Sequence, residues 1–189
     1  GFVSLSGRTN VGKSTLLNAF FQKKIAITSR KPQTTRNRIL GILTEEKSQI
    51  VFLDTPGVHL GYKRQLNKVM NKIASHCYEE VDLVLFLIDR FKWQKEEENI
   101  LKSLKNLNKP VVLVINKIDR LRDKTKLLAF IKDISEKFNF LSIVPISALK
   151  KDNLMELKSV ILNNLEIGPY HFPEDSLTEF SDNFFISEI

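Results

Sequence analysis

Gly7-Arg8-Thr9-Asn10-Val11-Gly12-Lys13-Ser14 has the form Gly-x-x-x-x-Gly-Lys-Ser, and its reading decides the fold. The alternating run before it, with Phe2, Val3 and Leu5 apolar, reads as a strand. The stretch after it, Thr15-Leu16-Leu17-Asn18-Ala19-Phe20-Phe21, reads as a helix buried along one side. Strand, glycine loop and helix in that order are what a phosphate-binding loop requires, and they argue against a chance glycine turn. Gly7 and Gly12 let the backbone curl so that N–H groups from Asn10 to Thr15 point inward as an anion nest. The helix N-terminus behind Val11 and Gly12 adds its positive end. In such a loop Lys13 reaches the outer phosphates and the Ser14 hydroxyl ligates magnesium.

The bulk composition is compatible with that reading and narrows it. A chain of 189 residues fits one domain with a sizeable core, and 42% hydrophobic against 27% charged residues is ordinary globular composition. The single cysteine, Cys77, excludes an internal disulfide, suits a reducing cytosol and is expected to pack in a helix. The longest apolar runs, 84–88 and 111–115, are too short to cross a bilayer, and no signal-peptide pattern is visible. The chain opens without methionine, directly in a strand-like run, so a longer natural chain is expected. The net charge of +7 is uneven: residues 22–72 hold eleven Lys or Arg against Glu45, Glu46 and Asp54. That concentration suits either a polyanionic partner or a solvated face serving the nucleotide's own phosphates.

Read in order, Lys23–Arg38 has no sustained period and contains Pro32, as a long loop would. Ile39–Leu43 and Gln49–Leu53 read as an antiparallel hairpin. Leu66, Val69, Met70 and Ile73 follow with helical spacing. Val81–Ile88 and Val111–Ile115 are continuous apolar runs of the kind buried on both faces of a parallel sheet. Helices are expected near 95–107 and 124–138, a short strand at 143–146, and a last helix carrying Leu154, Leu157, Val160, Ile161 and Leu165. Asp152 or Asn153 should cap that last helix. Trp93, at the end of a buried strand, is expected to pack. The alternation gives an α/β fold with a mostly parallel six-stranded sheet, helices on both faces and one antiparallel edge strand. Ligands are expected at the strand C-termini.

Three more motifs fall at those ends. Asp54-Thr55-Pro56-Gly57 closes an apolar strand 40 residues after Ser14, placing Asp54 to hold magnesium and the Gly57 N–H to sense a γ-phosphate. Asn116-Lys117-Ile118-Asp119 closes the strand 111–115. A carboxylate at Asp119 accepts from guanine N1–H and N2–H₂; adenine has no such donor pair and would leave the carboxylate desolvated and unpaired. Ser147-Ala148-Leu149 after the last strand supplies backbone N–H for guanine O6. His59, His76 and His171 have no metal-ligand spacing.

On these residues the chain resembles the translation-factor-like P-loop GTPases. Among them it is similar to the Era-type bacterial ribosome-assembly group, through Ile25–Arg36, Asp54–His59 and His171–Asp175. The resemblance covers essentially the whole chain. It implies GTP and GDP as ligands, magnesium held by Ser14, Thr35 and Asp54, and catalytic duty for Lys13, Thr35, Gly57 and Asn10. Thr34 is adjacent, and sequence does not decide which threonine ligates the metal. Val58 stands where Ras-like GTPases carry a glutamine that orients water; an aliphatic side chain cannot do that, so slow basal hydrolysis is implied. Asn10 stands where potassium-activated relatives hold a monovalent cation, which would stabilise transition-state charge; alternatively it only holds the turn. The resemblance further implies a GTPase domain at 1–167 and a linker at 168–189 toward an RNA-binding domain of KH type. Its partners would be small-subunit ribosomal RNA and the 30S subunit, with peripheral contact at the inner membrane, a cytoplasmic location and no DNA. No Gly-x-x-Gly loop follows Gly168, so the chain itself is expected to hold RNA weakly.

Two classes of function remain open on sequence. One is an enzymatic switch in which GTP closes 30–38 and 55–64 around the γ-phosphate. The other is a docking module in which turnover hardly matters. A tRNA-associated GTPase relative is a third reading, against which Gln33–Arg36 and His171–Asp175 argue; a P-loop kinase would not need Asn116-Lys117-Ile118-Asp119.

Overall fold

The computed structural model describes residues 1–21, 38–54, 81–89, 93–121, 123 and 125–173. Thr34, Thr35, Gly57, Val58, Cys77, the helical spacing at 66–73 and the segment 174–189 lie outside the described residues, as does the side chain of Asp54.

The strands are β1 (Phe2–Gly7), β2 (Arg38–Glu45), β3 (Ser48–Asp54), β4 (Leu83–Ile88), β5 (Val111–Ile115) and β6 (Ser142–Pro145). The helices are α1 (Lys13–Phe20), α2 (Lys95–Lys105), α3 (Thr125–Ser135) and α4 (Leu154–Leu162). The strands form one six-stranded sheet in the order β2-β3-β1-β4-β5-β6. β2 pairs antiparallel with β3 at one edge, and the remaining pairs are parallel, as the sequence reading expects.

Side-chain parity explains the continuous apolar runs. Along β4, Leu83, Leu85 and Leu87 point to one face, where Leu16 of α1 and Leu157 and Ile161 of α4 cover them. Val84, Phe86 and Ile88 point to the other, where Leu101 and Leu104 of α2 and Phe130 and Ile134 of α3 close over them. Both faces of β4 and β5 are fully buried, so no polar residue interrupts either strand. Trp93 packs edge-on against Phe86, with ring centroids 6.1 Å apart, while its indole N–H donates to Glu98 Oε2 at 2.8 Å. Asn153 does occupy the position before α4, but as a left-handed residue (φ 61°) without a side-chain cap. Its amide donates instead to Pro145 O, tying α4 to the end of β6.

A buried polar residue, Gln49, organises the end of the sheet away from the strand C-termini. It is 5% exposed. Its Oε1 accepts from the His171 and Phe172 N–H groups at 3.0 Å each, and its Nε2 donates to Phe172 O at 3.0 Å and Thr44 Oγ1 at 3.1 Å. Tyr170 donates its hydroxyl to Glu45 O at 2.8 Å, and His171 packs on Phe2 with ring centroids 4.4 Å apart. The chain after α4 thus returns to the β2–β3 hairpin. Gln49→Leu keeps the volume but strands these donors and acceptors. It should lower unfolding stability by about 2 kcal/mol, the cost of leaving buried polar groups unpaired. Denaturant titration checks the loss, and amide exchange should rise first at His171 and Phe172.

Candidate functional site

The phosphate-binding loop bridges the end of β1 and the start of α1. Gly7 (φ 144°), Asn10 (φ 60°) and Gly12 (φ 101°) all take positive φ, which bends the chain back on itself. A Cβ on Gly7 would meet Leu87 O at 2.5 Å, so the loop sits directly on β4. Val11 is buried and anchors the loop, while Asn10, Ser14 and Thr15 are exposed. α1 begins with no side-chain cap and no acidic residue in its first turn. An anion is the group that suits such a terminus. Lys13 Nζ lies across the loop, donating to Gly7 O at 2.9 Å and Arg8 O at 2.8 Å. The donors and the exposed Ser14 hydroxyl fit a polyphosphate with its magnesium. Asp54 reaches the same edge: its Cα pairs in register with Leu5, two residues before Gly7.

Asn116, 2% exposed, joins three segments. Its Nδ2 donates to Val11 O at 2.9 Å, and its Oδ1 accepts from Lys117 N–H at 2.8 Å and Ala148 N–H at 3.0 Å. The phosphate loop, the end of β5 and the turn after β6 therefore share one buried amide. Since Ala148 N–H is engaged with Asn116, contact with a guanine O6 would require that donor to be shared, or its exposed neighbour Leu149 to take part. Lys117 adopts a left-handed conformation (φ 64°) that opens a short 3₁₀ turn, Ile118–Arg120, carrying Asp119. Ser147, fully buried, donates its hydroxyl to Asp119 Oδ1 at 2.6 Å and accepts from Lys150 N–H at 3.1 Å. That hydroxyl bond holds the Asp119 carboxyl below the usual aspartate range, outweighing the opposing effect of burial. Asp119 therefore stays ionised, ready to accept two N–H groups, throughout the neutral range.

Sequence reasoning missed a charge cluster beside the loop. Asp89, immediately after β4, takes Lys117 Nζ at 2.7 Å and Arg8 Nη2 at 3.1 Å. Arg8 also pairs with Glu96 at 3.1 Å and with Glu97, whose side chain is 3% exposed. Glu97 is held from behind by the α2 capping box, its carboxylate accepting from Gln94 N–H at 3.1 Å. Burial works against the Arg8 charge, but Glu97, Glu96 and Asp89 outweigh it and push the guanidinium pKa up. One signal was available: Asp89 ends β4 as Asn116 follows β5, at the sheet edge where ligands bind.

Of the residues expected at the site, Gly7, Asn10, Val11, Gly12, Lys13, Ser14, Thr15, Asn116, Lys117, Asp119, Ser147, Ala148 and Leu149 all lie at the strand C-termini, as does the backbone of Asp54. No cluster of three or more potential metal ligands of the His, Cys, Asp or Glu type exists among the described residues.

Known proteins resemble this chain in sequence and in fold. The chain is 50% identical to the GTPase Era of Haemophilus influenzae over its full length, covering 63% of that protein. It thus spans a little under two thirds of the curated relatives it matches. Among solved structures it resembles Era in complex with MgGDPNP and nucleotides 1506–1542 of 16S ribosomal RNA, with TM-score 0.78, 44% identity and coverage of 96% of this chain and 62% of that one. An Aquifex aeolicus Era variant bound to GDP and aluminium fluoride matches with TM-score 0.77, 44% identity and the same coverage. The profile described as 50S ribosome-binding GTPase matches residues 2–117, from the first strand through the phosphate loop to the lysine of the base-reading motif. With the buried amide of Asn116 joining the two motifs in space as that profile joins them in sequence, the chain belongs to this family of GTPases.

Proposed function

We propose that this chain is the GTP-binding and GTP-hydrolysing switch of a ribosome-assembly GTPase that works on small-subunit ribosomal RNA. One observation carries the nucleotide reading: Asn116 binds Val11 of the phosphate loop and Ala148 of the base pocket, so both halves of a nucleotide site are built as one. Lys13 would exchange the Gly7 and Arg8 carbonyls for phosphate oxygens, and Asp119 would accept from the guanine edge. Ser14, with Asp54 and Thr35 (or Thr34), would hold magnesium, which when bound neutralises charge developing on the phosphates. Gly57 N–H would report the γ-phosphate. Asn10, exposed and left-handed, would ligate potassium there. The ribosomal RNA reading is supported by the similarity to an Era bound to a 16S ribosomal RNA segment, and the basic stretch 22–72 suits a polyanion. A cytoplasmic location suits the single cysteine, and peripheral contact with the inner membrane would again use basic residues.

The test is GTP turnover by this chain in KCl and in NaCl, each with and without purified small ribosomal subunits. Slow turnover, faster in potassium by about tenfold, the order of one added charge-stabilising contact in the transition state, is expected to fall to the sodium rate in Asn10→Ala. Equal rates in both salts with Asn10→Ala silent would remove the potassium role. No turnover in any arm would leave a docking module.

A further inference from the structure

The two loops of the site are tied by a carboxylate that belongs to neither motif. Asp89 Oδ2 accepts from Lys117 Nζ at 2.7 Å and Oδ1 from Arg8 Nη2 at 3.1 Å. All three side chains are largely withdrawn from solvent, with 15%, 22% and 14% exposure for Asp89, Lys117 and Arg8. Lys117 Nζ donates onward to Asn10 O at 2.6 Å, so the same ammonium touches the turn of the phosphate loop. Arg8 is fixed from its far side by Glu96 and Glu97 at the start of α2. Each loop thus contributes one cation, and Asp89 is the counter-ion they share. Removing it would leave two partly buried cations close together and would leave Lys117 Nζ, among the described residues, with the Asn10 carbonyl as its anchor. Lys117 also sits in left-handed backbone two residues before Asp119, so the place of its ammonium constrains the turn that aims the base-reading carboxylate.

We infer that Asp89 is a positioning residue for nucleotide binding: through Lys117 it locks the base-reading turn to the phosphate loop, and through Arg8 it locks both to α2. Base recognition and phosphate grip then tighten and loosen together. The inference rests on the guanine-nucleotide reading above.

The test is stopped-flow release of a fluorescent GDP analogue from this chain, from Asp89→Asn, from Lys117→Ala and from the double variant. Asp89→Asn should release the analogue about tenfold faster, which is about 1.4 kcal/mol, with association little changed. Its thermal midpoint should fall in part, because Lys117 and Arg8 lose their shared counter-ion while Arg8 keeps Glu96 and Glu97, so release is compared at a temperature where both proteins are fully folded. In the Lys117→Ala background the same substitution should accelerate release by clearly less than tenfold, since only the Arg8 contact is left for Asp89 to lose. Asp89→Glu, which keeps the charge, should restore slow release. Failure of the parent chain to bind the analogue would refute the guanine reading itself. Binding by the parent with unchanged release from Asp89→Asn would overturn the positioning role, as would an equal acceleration with and without Lys117.

Discussion

Asp119→Asn is expected to lower GDP affinity by on the order of a thousandfold while creating affinity for xanthosine diphosphate, because a site built to bind an N–H pair discriminates steeply against its loss. Ser147 fixes the carboxylate through Oδ1 and sits fully buried behind it. An amide in the same place still satisfies the Ser147 hydroxyl with its oxygen. Its NH₂ then faces guanine N2–H₂, donor against donor, in a site where neither group can turn to water. Xanthine carries a carbonyl at that position, so the amide pairs with it while still accepting from N1–H. The substitution changes no volume and leaves the Asn116 bonds to Val11 and Ala148 intact, so the fold should not register it. Titration calorimetry with both diphosphates is the measurement. Unchanged GDP affinity would mean that the base sits elsewhere.

Much of this site was legible in sequence because its parts are local. A glycine loop between a strand and a helix is defined within eight residues. β4 and β5 announce themselves as buried on both faces because helices cover each parity set, Leu83, Leu85 and Leu87 on one side and Val84, Phe86 and Ile88 on the other. What escaped is non-local. The Arg8–Asp89 pair spans 81 residues, and nothing in the spacing of either residue reveals the other. Glu97 reads as an ordinary first-turn carboxylate suited to the helix dipole, yet it is buried because Arg8 reaches it. Gln49 breaks the apolar pattern of β3, and only the return of residues 170–172 explains a buried amide there. Asn153 was legible as a residue before a helix but not as a left-handed one whose amide turns to Pro145. Ala148 was legible as a base-pocket residue, whereas its bond to Asn116 depends on how closely β5 and β6 end together.

That closeness makes Gly12→Ala the more damaging of the substitutions considered. Gly12 takes φ 101°, where an alanine is strained by about 1–3 kcal/mol. The added Cβ would also overlap Asn116 Nδ2, and Asn116 has nowhere to go. It is buried and held on both sides of its amide by Val11 O, Lys117 N–H and Ala148 N–H. Displacing it breaks three bonds at once, each worth about 1 kcal/mol, and strands the loop carbonyl that it caps. The phosphate loop and the base pocket should fail together, with nucleotide affinity down by at least about a thousandfold, the equivalent of about 4 kcal/mol. Two separate causes can be told apart by a double-mutant cycle. Strain at φ alone would add to the cost of Asn116→Ala. A steric cause would not, because removing the Asn116 side chain removes the atom that the new methyl strikes. The expected result is a double variant less impaired than the sum of the singles by about 1–2 kcal/mol, within the range seen for residues in contact. Strict additivity would show that the loop at Gly12 fails by its own backbone and that Asn116 is a bystander to it.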